Sequence, residues 1–152
     1  MNELKIINTR LISFSPRSRD RDGVILEMTE MLKAEGRISD SGAFIDNVLE
    51  REKISSTDTG IGVAIPHGKG GFVLRSSIAI CRFEEGLIWD STPVKAVFLL
   101  AVDDDEAGLA HLELIAKVST MLMDDEFLNL LFTAGKEIDL FNEIFNRLED
   151  KK

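Results

Sequence analysis

An α/β sandwich is the fold class this sequence predicts, on three observations. Segments with apolar residues at helical spacing stand both before and between segments that read as strands. One of those strands, Val94 to Val102, is a nearly unbroken apolar run rich in Val, Phe and Leu, as expected of a central strand covered on both faces. The chain of 152 residues suits a single domain able to bury roughly two-thirds of its unfolded surface.

In chain order, Leu11-Ile12-Ser13-Phe14 reads as a first strand, closed by Ser15-Pro16. From Asp22, the apolar residues Val24, Met28, Met31 and Leu32 recur at helical spacing as far as Gly36. Ser39-Asp40-Ser41 supplies N-cap candidates for a second helix carrying Phe44, Ile45, Val48 and Leu49. Arg51 falls near the end of that helix, where the helix dipole favours a cation. Val63 to Ile65 reads as a strand, and Ser77 to Phe83 as another, ahead of the Val94–Val102 run. Trp89, the one tryptophan, is expected to pack in a turn before Thr92-Pro93. Gly108 to Met123 is the most regular helical pattern, and Asp124-Asp125-Glu126 opens another helix. A final amphipathic helix sets Ile138, Phe141, Ile144 and Phe145 on one face. Repeats, linkers and low-complexity segments are absent.

Composition narrows the function. A net charge of −9 argues against a nucleic-acid partner, because phosphate backbones select basic surfaces. It suits a protein partner with a basic face, or simply keeps the chain soluble. The single cysteine, Cys81, rules out an internal disulfide and sits in the apolar run Ile78-Ala79-Ile80-Cys81. A reducing, cytoplasmic location and an unreactive thiol follow as expectations. There is no cysteine–histidine ligand cluster for a structural zinc, and no apolar run approaches the ~20 residues that cross a bilayer. Glu3 and Lys5 interrupt the apolar residues of the N-terminus, which lacks a signal-peptide pattern.

The chemistry concentrates in Thr59-Gly60-Ile61-Gly62-Val63-Ala64-Ile65-Pro66-His67-Gly68-Lys69, which holds one of only two histidines. Pro66 biases Ile65 toward extended backbone and cannot donate a hydrogen bond, so a regular strand should stop there. Gly68 allows a sharp turn and close approach of a ligand to the backbone. An imidazole at the mouth of a strand faces solvent, as a nucleophile should. Its ordinary pKa near 6.5 keeps the neutral, nucleophilic form abundant at neutral pH without a strong base. The competing reading is a surface histidine in a turn with no task. The Gly-Ile-Gly segment is not a dinucleotide fingerprint, because the third glycine and the following helix are missing.

Other candidates also have two readings. Leu114, Ile115, Val118 and Leu122 share a helical stripe with His111, which fits either a hydrogen-bonded core histidine or a ligand-facing one at a helix start. Arg51 lies in Glu50-Arg51-Glu52-Lys53, either a solvated face paired with a neighbouring glutamate or a guanidinium fork for an anion. Ser56 and Thr57 are placed to cap or line the same loop. Asp103-Asp104-Asp105-Glu106 lacks the spacing of a calcium loop and reads as a solvated segment.

Taken together, Ile65-Pro66-His67-Gly68 with its glycine-rich lead-in, Arg51-Glu52 followed by Ser56-Thr57, and His111-Leu112-Glu113-Leu114 resemble the enzyme IIA domains of the fructose–mannitol type. These belong to the bacterial phosphoenolpyruvate-dependent sugar phosphotransferase system. The resemblance runs from about Leu11 to Ile144, with Asp58-Thr59 ahead of the glycine pair where family members commonly read Ser-Thr. It implies a single domain (core about 11–148) built on a mixed β-sheet flanked by helices on both faces. It further implies that His67 is the phosphorylated nucleophile, attacking through Nε2 while Nδ1 is held by the protein. His111 and Arg51 would stabilise the transferred phosphoryl group, with Gly60, Gly62, Gly68 and Thr57 around the phosphate. The implied donor is phospho-HPr and the implied acceptor a IIB domain of a sugar permease, with no metal, no organic cofactor and no insertion into the membrane. Nitrogen-type relatives share the motif and use its phosphorylation state to control other proteins.

Overall fold

The computed structural model describes residues 6–104 and 109–149, with side chains throughout except at 109–111 and 149. Its centre is the Val94 run, which forms part of β5 (Thr92–Asp103); Ala96 to Val102 are all buried, as a doubly covered strand requires. β4 (Ser77–Trp89) pairs antiparallel with β5, and β1 (Ile12–Ser13) pairs parallel with β4. On the other side of β5, β2 (Val63–Ala64) and β3 (His67–Gly70) lie one after the other, both parallel to it. The sheet is therefore mixed, in the order β1-β4-β5 with β2 and β3 outermost.

Helices cover both faces. α1 (Arg21–Ala34) and α2 (Ser41–Ile54) pack together, α1 on β4 and α2 on β3. α3 (Leu109–Leu122), α4 (Asp125–Thr133) and α5 (Glu137–Glu149) form the second layer, with α3 on β5 and α5 on β1. The caps are those the side chains favour. Asp20 accepts from the Gly23 N–H at 2.7 Å, Asp40 from Ala43 at 3.0 Å, and Asp124 from Glu126 at 2.9 Å. Cys81 is fully buried in β4, and burial pushes its thiol up to about 12. Among the described residues no helix is long and apolar enough to cross a membrane.

Several boundaries differ from expectation for local reasons. The Leu11–Phe14 strand shrinks to β1, because Asn8 caps a 3₁₀ turn at Thr9–Leu11 that consumes its start. The Ser77–Phe83 strand runs on to Trp89 despite Glu84-Glu85-Gly86. A register shift between Arg82 and Leu87 absorbs those residues, with Gly86 at φ +76°. Asp90 and Ser91, both at positive φ, close a two-residue hairpin into β5. Trp89 is thus the last residue of a strand rather than part of a turn, and is fully buried. Ile138 is 44% exposed, whereas Leu140 joins Phe141 and Ile144 in the core. Asp105, Glu106 and Gly108, part of the expected acidic loop and helix start, lie outside the described residues.

Candidate functional site

The site is assembled where α2 ends and the chain returns to the sheet edge. Between them the backbone folds on itself: Thr59 N–H donates to the Val63 carbonyl and Ile65 N–H to the Thr57 carbonyl, each at 3.0 Å. The Thr59 hydroxyl donates to the same Val63 carbonyl at 2.7 Å. The turn this closes needs left-handed backbone at Gly60 (φ +86°) and Gly62 (φ +87°), which explains the glycine pair. Asp58 and Thr59 stabilise this turn; Asp58 accepts from the Gly60 N–H at 3.1 Å.

Pro66 interrupts the strand without ending it. Its carbonyl still accepts from the Leu100 N–H at 2.9 Å, so the ladder along β5 resumes at His67 instead of stopping. The expected turn at Gly68 is accordingly absent. Gly68 is buried in β3, and its missing side chain makes room for α2: a Cβ there would lie 2.7 Å from Phe44 and 2.9 Å from Val48.

His67 opens β3 and is half-buried rather than fully presented to solvent. Its Nδ1 lies 3.3 Å from the Ile65 carbonyl oxygen. A carbonyl only accepts, so the neutral ring carries its proton on Nδ1 and its lone pair on Nε2. Burial lowers the His67 pKa from its ordinary 6.5, and the positive charge of Arg51 acts in the same direction. The Ile65 hydrogen bond and the negative charge of Glu52 oppose it without reversing it. The unfolded chain therefore binds this proton more readily than the folded one. Stability from the group is complete above pH 6.5 and is lost as the pH falls from there through the lower folded-state value. An NMR titration of the His67 ring should give a midpoint below 6.5; a midpoint at or above it would contradict this environment.

Arg51, Ile54, Ser55, Ser56, Thr57 and His67 line one open cleft of about 250 Å³. The sequence-predicted residues His67, Arg51 and Thr57 thus converge, with Gly60 and Gly62 in the adjoining turn. Ile54, 80% exposed, forms an apolar lip. His111 falls in the first turn of α3, and its side chain is outside the described residues.

Two residues of the site were not legible beforehand. Arg51 does not pair with a neighbouring glutamate: its Nε donates to Asn47 Oδ1 at 3.2 Å. Glu52, expected at the surface, is buried. It accepts from Trp89 Nε1 at 3.1 Å, from the Thr57 N–H at 3.3 Å, and from the Thr57 hydroxyl. Glu50 and Glu52 each lie about 100° round the helix from Arg51, so the sequence carries no signal for which of them points inward.

A sequence profile described as phosphoenolpyruvate-dependent sugar phosphotransferase system, EIIA 2, matches residues 5–147. The chain belongs to this family. Similar proteins include the fructose-specific EIIABC component of Bacillus subtilis, 33% identical over 149 residues, covering 94% of this IIA chain and 23% of that protein. The chain thus spans about a quarter of the longer relatives it matches. The fructose-specific EIIA component of Haloferax volcanii is 31% identical over 127 residues, covering 82% of each chain. Among solved structures, nitrogen regulatory protein IIA-Ntr from Neisseria meningitidis superposes with a TM-score of 0.81 at 25% identity, covering 91% of this chain and 96% of that one. The mannitol IIA of Escherichia coli, solved in complex with phosphorylated IIB, gives 0.76 at 19% identity, covering 95% and 98%; that likeness is of fold.

Proposed function

We propose that this IIA domain is a phosphocarrier that accepts a phosphoryl group on His67 Nε2 from phospho-HPr and passes it to a IIB domain. The observation that carries the reading is the convergence of His67, Arg51 and Thr57 on one cleft in a chain of this family. The reaction is a nitrogen-to-nitrogen phosphoryl transfer: the donor's P–N bond breaks as the P–Nε2 bond forms, and no metal or organic cofactor takes part. The depressed pKa of His67 keeps the ring neutral, the form in which Nε2 carries a lone pair. The Nδ1–H···O=C contact to Ile65 orients that lone pair. Negative charge spreads over the equatorial oxygens in the transition state, where the Arg51 guanidinium stands beside the histidine to meet it; the Thr57 hydroxyl lines the same cleft but already donates to Glu52. His111, at the start of α3, is assigned the same stabilising role. The backbone around Gly62 is a further donor surface, whereas the Gly60 N–H is already engaged by Asp58 and Gly68 is covered by α2. The apolar lip at Ile54 suits a docking partner that shields the phosphohistidine from water. On this reading the domain works in the cytoplasm and feeds a sugar permease.

The likeness to IIA-Ntr supports a second reading, in which the phosphorylation state of His67 controls a partner protein. Intact-protein mass after incubation with phosphoenolpyruvate, enzyme I and HPr tests the first step. One acid-labile phosphate on the wild type and none on His67→Ala is expected. A folded wild type that takes no phosphate would refute both readings. Discharge of the phosphorylated protein by a cognate IIB separates them, since only the transport role requires it.

A further inference from the structure

We infer that Asn47 is a positioning residue: its side-chain oxygen ties Arg51 to the strand that carries His67 and so sets where the guanidinium stands. The inference rests on the phosphocarrier reading and deepens it. Asn47 and Arg51 are one helical turn apart on α2, and Arg51 Nε donates to Asn47 Oδ1 at 3.2 Å. By itself that contact is an ordinary pair on a helix surface. What makes it more is that the same oxygen also accepts the backbone N–H of Lys69 at 2.9 Å. Lys69 belongs to β3, two residues beyond His67, and its ammonium reaches Asp104 at 3.9 Å. One amide oxygen therefore joins the catalytic-cleft arginine, the helix it grows from and the strand that holds the histidine.

The geometry has a directional consequence. A guanidinium has five N–H donors in a fixed plane. Fixing Nε on Asn47 leaves the terminal pair of nitrogens as the end of the side chain that can turn toward an anion in the cleft. Without the tie, Arg51 is a half-buried side chain with several rotamers, at the edge of an open cleft. Asn47 also satisfies a backbone donor on the edge of β3, against which α2 packs. Asn47 touches neither the phosphoryl group nor His67 in this scheme; it acts through Arg51.

The test uses Asn47→Leu, which keeps the approximate shape and removes the acceptor, and Asn47→Asp, which keeps an acceptor for both donors. Three quantities are read on the intact protein: the rate of phosphoryl transfer from phospho-HPr, solvent exchange of the Arg51 Nε–H by NMR, and the His67 titration midpoint. The charged groups acting on that midpoint from α2 are Arg51 and Glu52. In Asn47→Leu the rate should fall on the order of tenfold, the Arg51 Nε–H should exchange fast, and the His67 midpoint should rise as the arginine leaves. Asn47→Asp should keep the Nε–H protected and bring the rate within about threefold of wild type. An Asn47→Leu protein that is folded and keeps its rate overturns the inference. So does one that loses rate while the Arg51 Nε–H stays protected and His67 titrates as before, since the loss is then structural. The two NMR quantities need no phosphate, so a wild type that accepted none would refute the carrier reading while leaving the Asn47–Arg51 tie to be decided separately.

Discussion

Replacing Glu52 by alanine is expected to destabilise the protein by about 3–4 kcal/mol, a large share of the 5–15 kcal/mol that holds a typical domain together. The carboxylate is 3% exposed and has three donors on it: the Trp89 indole N–H, the Thr57 N–H and the Thr57 hydroxyl. Arg21 adds a positive field, since Glu52 is among the charges that raise the pKa of that arginine. Such a set explains why a charge can stay in the interior at the end of α2. Removing it leaves the indole N–H of a fully buried tryptophan without its acceptor and frees the residue that fastens the Thr57 loop to the helix. Glu52→Gln keeps one acceptor oxygen and should cost only about half as much. Urea unfolding followed by fluorescence is a direct readout, because Trp89 is the only tryptophan. The midpoint should fall with little change in slope, and the native emission should change because the indole has lost its partner. Since Thr57 lines the His67 cleft, phosphoryl acceptance should fall along with stability. A Glu52→Ala protein within about 0.5 kcal/mol of wild type would show that the carboxylate is not a structural centre.

What could be read from the sequence is what short-range chemistry dictates. Asp40 ahead of the Phe44-Val48 stripe announces α2, and the unbroken Val94–Val102 run announces a central strand, because both signals lie within the element they describe. The His67 motif and Arg51 were legible for the same reason, as local patterns of a known family. Glu52 was not, since its burial depends on Trp89, 37 residues further along the chain. Nothing near Glu50-Arg51-Glu52-Lys53 distinguishes the inward glutamate from the outward one. Asn47 was missed likewise: its second donor comes from Lys69, 22 residues away. The β4 extension was hidden by Glu84-Glu85-Gly86, which reads as a loop until antiparallel pairing with β5 and its register shift are known. Gly68 is the instructive case: its presence in the motif was plain, and the reason for it was misread.

Gly68→Ala should destabilise by about 2–3 kcal/mol, and Gly68→Val by more, through overpacking rather than backbone strain. Strain is the argument at Gly60 and Gly62, with φ of +86° and +87°; Gly68 has no such angle. The obstacle at Gly68 is the fully buried pair Phe44 and Val48 on α2, 2.7 and 2.9 Å from an added Cβ. A flexible side-chain end can often retreat, but Phe44 is boxed in. It stands edge-on to Phe72 with ring centroids 6.0 Å apart, and Phe72 in turn covers Gly70, where a Cβ would meet its ring at 2.6 Å. Gly68 and Gly70, two apart in β3, share a face of the strand, so that face carries no side chains and aromatic edges fill it. The relief left to Gly68→Ala is a shift of α2 away from β3. That shift carries Asn47 and Arg51 with it and lengthens the Asn47–Lys69 contact, so stability and phosphoryl acceptance should fall together. Urea unfolding gives the first quantity and transfer from phospho-HPr the second. Trimming the obstacle provides the control: Phe44→Leu costs stability alone, yet added to Gly68→Ala it should recover part of the loss, a coupling of opposite sign to simple addition. If the two changes merely add, or if Gly68→Ala leaves stability untouched, the close approach of α2 is not what requires glycine next to the histidine.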